Sequence, residues 1–209
     1  MICRIKMKKK YIQQGFSLIE LMIAMTITLS ILGLTMTLFA GAFSTRKRES
    51  RKTDALTSAR AAINVISREV ANSGYGLSSN GIIASDSSAK RIHFRANLDN
   101  TNAQTNSPGE DVTYFFDPIN QSIVRYDPND SPQTSVIVNR VSDVTFNYYD
   151  YSGSNSTAVE TATPTNNTGR VKITVIVRME NVAGQPDDQT VTYKSDVTIR
   201  NSDYMLNQY

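Results

Sequence analysis

The residue that promises the most chemistry in this chain is Glu20. It is the only charged residue between Phe16 and Phe43, a run otherwise made of apolar, small and hydroxyl side chains. A carboxylate inside a membrane-length apolar segment costs about 2.5–3.5 kcal/mol on insertion scales, so it marks a functional residue by default. Its chemistry there is charge pairing, because a cation beside it in low dielectric is attracted far more strongly than in water. Gly15 and Phe16 stand just before it, at the junction of a basic leader and the apolar run. Other reactive combinations are scarce. His93 is the only histidine and Cys3 the only cysteine, so neither a histidine pair nor a Cys/His set exists to hold zinc. No nucleophile elbow, P-loop or Gly-rich dinucleotide fingerprint occurs. Asp127-Pro128-Asn129-Asp130 and Gln185-Pro186-Asp187-Asp188 offer oxygen ligands, but neither has the spacing of a calcium loop, and both read as turns. The chain is therefore expected to be no enzyme and to need no cofactor or metal.

The elements around Glu20 exclude two ordinary explanations. A secretory signal has an apolar core of about 7–15 residues followed by small residues at the cleavage site. Here the glycine precedes the apolar run, and the run is far longer. A plain anchor would explain the length, since about 20 apolar residues span a bilayer. It would not explain Gly15-Phe16, or a carboxylate at the fifth position after the glycine.

The stretch Tyr11-Ile-Gln-Gln-Gly15-Phe16-Ser-Leu-Ile-Glu20-Leu-Met-Ile-Ala24 resembles the class III signal of type IV prepilins and pseudopilins. The resemblance implies that a prepilin peptidase removes residues 1–15 by cutting after Gly15 and that the same enzyme N-methylates Phe16. It also implies that Glu20 faces the new amine of Phe16, on its own or a neighbouring chain, during subunit assembly. Residues 16–43 would then be the transmembrane and assembly half of the N-terminal helix. Residues 44–209 would be an extracytoplasmic head, with an amphipathic helix over 44–73 and sheet over 82–200.

Charge must be read with that leader set apart. The whole chain is +3, but Arg4, Lys6, Lys8, Lys9 and Lys10 supply five of its 22 basic residues. Without them 17 basic residues face 19 acidic ones, near −2, so the high isoelectric point is no argument for nucleic-acid binding. Arg46, Lys47, Arg48, Arg51 and Lys52 follow the span and suit lipid headgroups. With five basic residues on each side, the positive-inside rule does not orient the span. The family resemblance alone places the leader in the cytoplasm, the anchor in the inner membrane as a single pass, and the head outside. Cys3 lies in the leader, outside any lipobox, so the processed chain has no disulfide. That departs from pilins that close a C-terminal loop with one.

Beyond the basic cluster, Leu56, Ala59, Ile63, Ile66 and Val70 recur at steps of three, four, three and four, one apolar face of a helix. Packing against the chain's own sheet is the expected role of that face, ahead of a partner site. Asn72-Ser73-Gly74-Tyr75-Gly76 ends it, with Gly74 as cap glycine. Gly33 and nearby threonines either weaken the helix locally or serve as close-packing positions. Period-2 alternation then marks strands: Ile92, Phe94, Ala96 and Leu98; Val112, Tyr114 and Phe116; Ile123–Tyr126; Val136–Val138; Val144, Phe146 and Tyr148; Val171–Val177; and Val191–Ile199. Residues 99–109 and 151–168 read as polar surface loops. The expectation is an α+β, pilin-like fold in which a long N-terminal helix, half transmembrane and half amphipathic, packs on an antiparallel β-sheet.

The order of helix ending Ser67–Tyr75, then Val141–Asp150, a polar loop, and Val171–Val175 resembles minor pilins of the PilW type and the related J-type minor pseudopilins of type II secretion. What this implies is a priming subunit of a type IV pilus, or of a secretion or DNA-uptake pseudopilus. Its partners would be other minor and major pilins, the inner-membrane assembly platform and the bilayer, with no direct nucleic-acid contact. A membrane-anchored binding or adhesive domain is the remaining alternative.

Overall fold

A computed structural model of the protein describes residues 15–100, 104–151, 157–179, 181 and 186–207. The expected leader therefore lies outside the described residues except for Gly15, as do parts of both polar loops and Gln185. The chain divides into two compact units, residues 1–46 and 47–209.

In the first unit the chain is non-helical from Gly15 to Ser17, and helix α1 (Leu18–Ala71) then begins. It runs through Gly33 without interruption. Nearly all of its side chains here are exposed, among them Leu21, Met25, Leu29, Leu32, Phe39 and Phe43. By length and composition α1 is able to cross a membrane. Each hydroxyl from Thr26 to Thr45 bonds to a carbonyl one turn back: Thr26 to Ile23, Thr28 to Ala24, Ser30 to Thr26, Thr35 to Leu32, Thr37 to Leu34, and Ser44 and Thr45 to Gly41. That arrangement lets hydroxyls sit in a lipid-facing helix without an unpaired donor.

The second unit holds the later turns of α1 and eight strands. The buried face of the helix is Ala55, Ala59, Ala62, Ile63, Ile66 and Val70. Leu56, expected on that stripe, is half-buried. Three of the six buried residues are alanines, and Ala59 and Ala62 are almost completely buried. The helix stops at Ala71, two residues before the expected end at Ser73. Gly74 does adopt the left-handed conformation (φ 78°), but its N–H donates to the carbonyl of Arg95 rather than to the helix.

The strands form two four-stranded antiparallel sheets. The first has the order β1 (Arg91–Arg95), β2 (Asp111–Asp117), β3 (Ser122–Tyr126), β4 (Thr134–Asn139). The second has the order β6 (Val159–Thr161), β5 (Val141–Asp150), β7 (Thr168–Arg178), β8 (Thr190–Thr198). The single sheet expected from alternation is thus two. The break lies at Arg140, whose left-handed backbone (φ 62°) turns the chain from β4 into β5. The sheets are stitched together by Phe146 N–H to Ala89 O, Val141 N–H to Gln121 O, and the Tyr148 hydroxyl to the carbonyls of Ser88 and Arg91.

One core joins the helix stripe to the inward faces of both sheets, with Phe94, Tyr114, Ile123, Phe146, Tyr148, Ile173 and Ile199 fully buried. Alternation governs β7, where Val171, Ile173, Val175 and Val177 point inward. A bulge between Ile123 and Val124 lets both side chains turn in, which simple alternation forbids. Two expectations fail at edges. Strand β1 ends at Arg95, so Leu98 leaves the sheet and is 45% exposed. The polar stretch 151–168 contains β6, held to β5 by Glu160, which accepts from Asn147 and the Tyr149 hydroxyl. A short helix α2 (Asp203–Leu206), capped by Ser202, follows β8.

Candidate functional site

The sequence places Gly15, Phe16 and Glu20 at the start of α1, and the local geometry gives each a distinct setting. The Gly15–Phe16 bond sits in non-helical chain, two residues before the first helical residue, and Phe16 is 91% exposed. Such a bond is open to a peptidase, whereas a helical one would first have to unwind. A Cβ built on Gly15 would meet nothing within 4 Å, and Gly15 is not among the positive-φ glycines. Packing among the described residues does not require glycine there.

Ser17 is the helix N-cap: its carbonyl accepts the first helical hydrogen bond, from Leu21 N–H at 3.2 Å. Glu20 Oε2 accepts from the backbone N–H of Ser17 at 3.0 Å. This is half of a capping box, in which the third helical residue reaches back to an orphan donor at the N-cap. The carboxylate also lies in the first turn, where the helix dipole favours negative charge. It is thereby held one residue from the backbone nitrogen of Phe16. The sequence signal for this, Ser-x-x-Glu before an apolar run, is present at Ser17–Glu20 and identifies Ser17 as a partner that the carboxylate's position alone does not.

The head holds the other charged groupings. Both ring nitrogens of His93 face carboxylates: Nδ1 lies 2.9 Å from Asp86 Oδ2 and Nε2 lies 2.6 Å from Asp111 Oδ1. Arg91 and Arg95 pair with the same two aspartates at 2.9 and 3.0 Å. With its ring engaged on both sides, His93 joins an ion network across β1 and β2. Ser87 meets only its backbone, so no serine–histidine pair forms here.

A second network ties α1 to the first sheet. The Tyr114 hydroxyl donates to Glu69 Oε2 at 2.7 Å, and Arg125 Nε donates to the same oxygen at 3.1 Å. Arg125 also pairs with Asp127 at 3.1 Å and Asp130 at 3.3 Å. Burial, then the charge of Glu69 and its hydrogen bond, push the Tyr114 phenol well above its ordinary range. Burial works against the charge of Arg125, but Glu69, Tyr114 and Asp127 outweigh it and raise its pKa. Asp127 is fully buried and accepts from Gly109 N–H at 2.6 Å and Asn129 N–H at 3.0 Å. Its turn is therefore filled by the chain's own donors. Among the described residues no group of three or more His, Cys, Asp or Glu side chains is placed to hold a metal ion. Glu69 and Arg125 are 56 positions apart, and no local pattern links them in the sequence.

A family model described as the prokaryotic N-terminal methylation motif matches residues 11–38. No curated protein and no solved structure matches the chain. The chain thus carries a type IV pilin-like methylation motif, set on an apolar helix that leads into antiparallel sheets. The whole is a pilin-like α+β layout. The motif suggests a type IV pilin or pseudopilin, a structural class of protein. It implies processing by prepilin peptidase, and with the apolar helix it fits membrane anchoring.

Proposed function

We propose that the protein is a non-enzymatic minor pilin that primes type IV pilus assembly. In this reading a prepilin peptidase cuts after Gly15 and N-methylates Phe16. The subunit waits in the inner membrane as a single pass with its head outside. It then enters a complex with other minor and major pilins on the assembly platform. The observation that carries the reading is the methylation motif at residues 11–38, placed so that an accessible Gly15–Phe16 bond precedes a helix whose first turn holds Glu20. After cleavage the Phe16 amine would lie one residue from the N–H that Glu20 now accepts. The carboxylate could then offset that cation in low dielectric, where either charge alone is expensive. The succession of elements in the head, which resembles the PilW type, supports the minor subunit over the major one.

The test is the yield of surface filament sheared from a strain lacking the gene, beside the parent and the complemented strain. A large loss restored by complementation is expected. Unchanged filaments with lost secretion or DNA uptake would instead make the protein a pseudopilin. Unchanged filaments with the protein retained in the membrane would make it an anchored binding domain.

A further inference from the structure

The C-terminal end of α1 opens onto a cavity of about 460 Å³, lined by Asn72, Ser73, Tyr75, Leu98, Arg200 and Asn201. That volume falls within the roughly 300–1,000 Å³ of small-molecule sites. Two large side chains stand exposed in its wall, Tyr75 at 53% and Leu98 at 45%. Among the described residues the Tyr75 hydroxyl has no protein partner, and the Arg200 guanidinium uses only Nη1, donating to Asn72 Oδ1 at 3.2 Å. The backbone of Arg200 is fixed separately, by its N–H to Ala71 O.

The surroundings of this cavity are held rigidly. Ser73, Asn80, Asn97 and Ser202 are all at least 98% buried. Ser73 donates to the carbonyl of Asn80, and Asn80 Nδ2 donates to the carbonyls of Thr165, Asn166 and Thr168. Asn201 Nδ2 holds the carbonyls of Leu77 and Ser79. Gly74 and Gly81 touch closely enough that a Cβ on Gly81 would lie 2.2 Å from the Gly74 nitrogen. The turns that carry the lining residues are thus fixed in place, which favours a preorganised site.

We propose that this cavity binds a carboxylate-bearing sugar, of the size of one hexuronic acid unit. An exposed tyrosine ring and a leucine offer an apolar surface to the flat face of a pyranose. Asn72 Nδ2 offers a donor and Asn201 Oδ1 an acceptor suited to its hydroxyls, since the Asn201 Nδ2 hydrogens are taken by Leu77 and Ser79. The free edge of Arg200 matches a carboxylate in fork geometry. A peptide fits less well, since recognition of one relies on an open strand edge or a long groove. The lining here comes from turns and loops, with no strand residue in it. The site does not depend on which filament the protein serves.

The full chain, in a zwitterionic detergent free of sugar headgroups, would be titrated calorimetrically with glucuronate, glucose and an acidic hexapeptide. Glucuronate is expected to bind at least tenfold more tightly than glucose. Arg200→Gln should weaken glucuronate at least tenfold without moving the melting temperature. Lys194→Gln, which removes a surface cation on β8 outside the cavity, should change nothing. Four results would overturn the proposal: no glucuronate binding by the parent, equal binding of glucose, full binding by Arg200→Gln, or tighter binding of the peptide.

Discussion

Replacing Arg125 with methionine tests how the end of α1 is held to the first sheet. The Arg125 side chain is 12% exposed and bridges Glu69, Asp127 and Asp130. Asp130 is 40% exposed, and its share is set near zero because exposed pairs contribute little. Removing one partner of a buried pair typically costs about 3–5 kcal/mol, since the remaining charge stays buried. Here neither carboxylate is left bare. Asp127 keeps the N–H groups of Gly109 and Asn129, and Glu69 keeps the Tyr114 hydroxyl. The low end, about 3 kcal/mol, is therefore expected. For a unit of this size that corresponds to a melting temperature lower by about 6–12 °C. Tyr114→Phe removes one charge-assisted hydrogen bond and should cost about 1.5–3 kcal/mol. Because both donors share Glu69 Oε2, the double variant should be non-additive by about 0.5–3 kcal/mol. Near-UV circular dichroism of the tyrosines, followed through thermal unfolding of the full chain in detergent, reads all three. An Arg125→Met melting temperature within about 2 °C of the parent would show that Arg125 does not hold α1 to the sheet, and strict additivity would show that the two donors act independently.

The buried phenols predict a pH dependence. Tyr114 and Tyr148 are both raised above their ordinary value of 10.0, first by burial. The unfolded chain releases those protons near pH 10 while the folded head keeps them, so their contribution is complete below that pH and is lost as pH rises beyond it. Melting between about pH 8 and 11 should fall more steeply in the parent than in Tyr114→Phe, and equal slopes would count against the burial argument. Gly81→Ala adds a methyl group 2.3 Å from Arg95 O at a φ of 74°, so a loss of at least about 2 kcal/mol is expected; a melting curve like the parent's would show that the two turns yield. Glu20→Ala should leave leader cleavage largely intact, by mass analysis of the mature N-terminus, and reduce incorporation into sheared filaments. Glu20→Gln separates capping from charge, and normal incorporation of the alanine variant would remove Glu20 from assembly. Gly15→Leu should block processing, and unchanged processing would undo the assignment of Gly15.

The parts that sequence made legible are those with local signals. The apolar face of α1 shows as a 3.6-residue period from Ala59 to Val70, and β7 shows as strict alternation. The motif around Gly15 is visible because an apolar run with one carboxylate is improbable without a reason. What stayed hidden depends on single backbone angles or distant pairs. One left-handed residue, Arg140, decides between one sheet and two. Three residues at Val159–Thr161 are too few for any period to register. The meeting of Glu69 with Arg125 and Tyr114 exists only after the sheet has formed, and no spacing announces it.

The hydroxyls of the apolar half of α1 have a consequence beyond that helix. From Thr26 to Thr45, each donates to a carbonyl of its own helix. No polar side chain in that stretch asks anything of its surroundings. Moved from hydrocarbon tails to a bed of other helices, the segment would trade one apolar neighbour for another and re-pair no hydrogen bond. Only Glu20 keeps a stake in where the segment lies. Within the apolar half its surroundings would then set the preferred register of the helix, as a single tooth sets the position of an otherwise smooth rack.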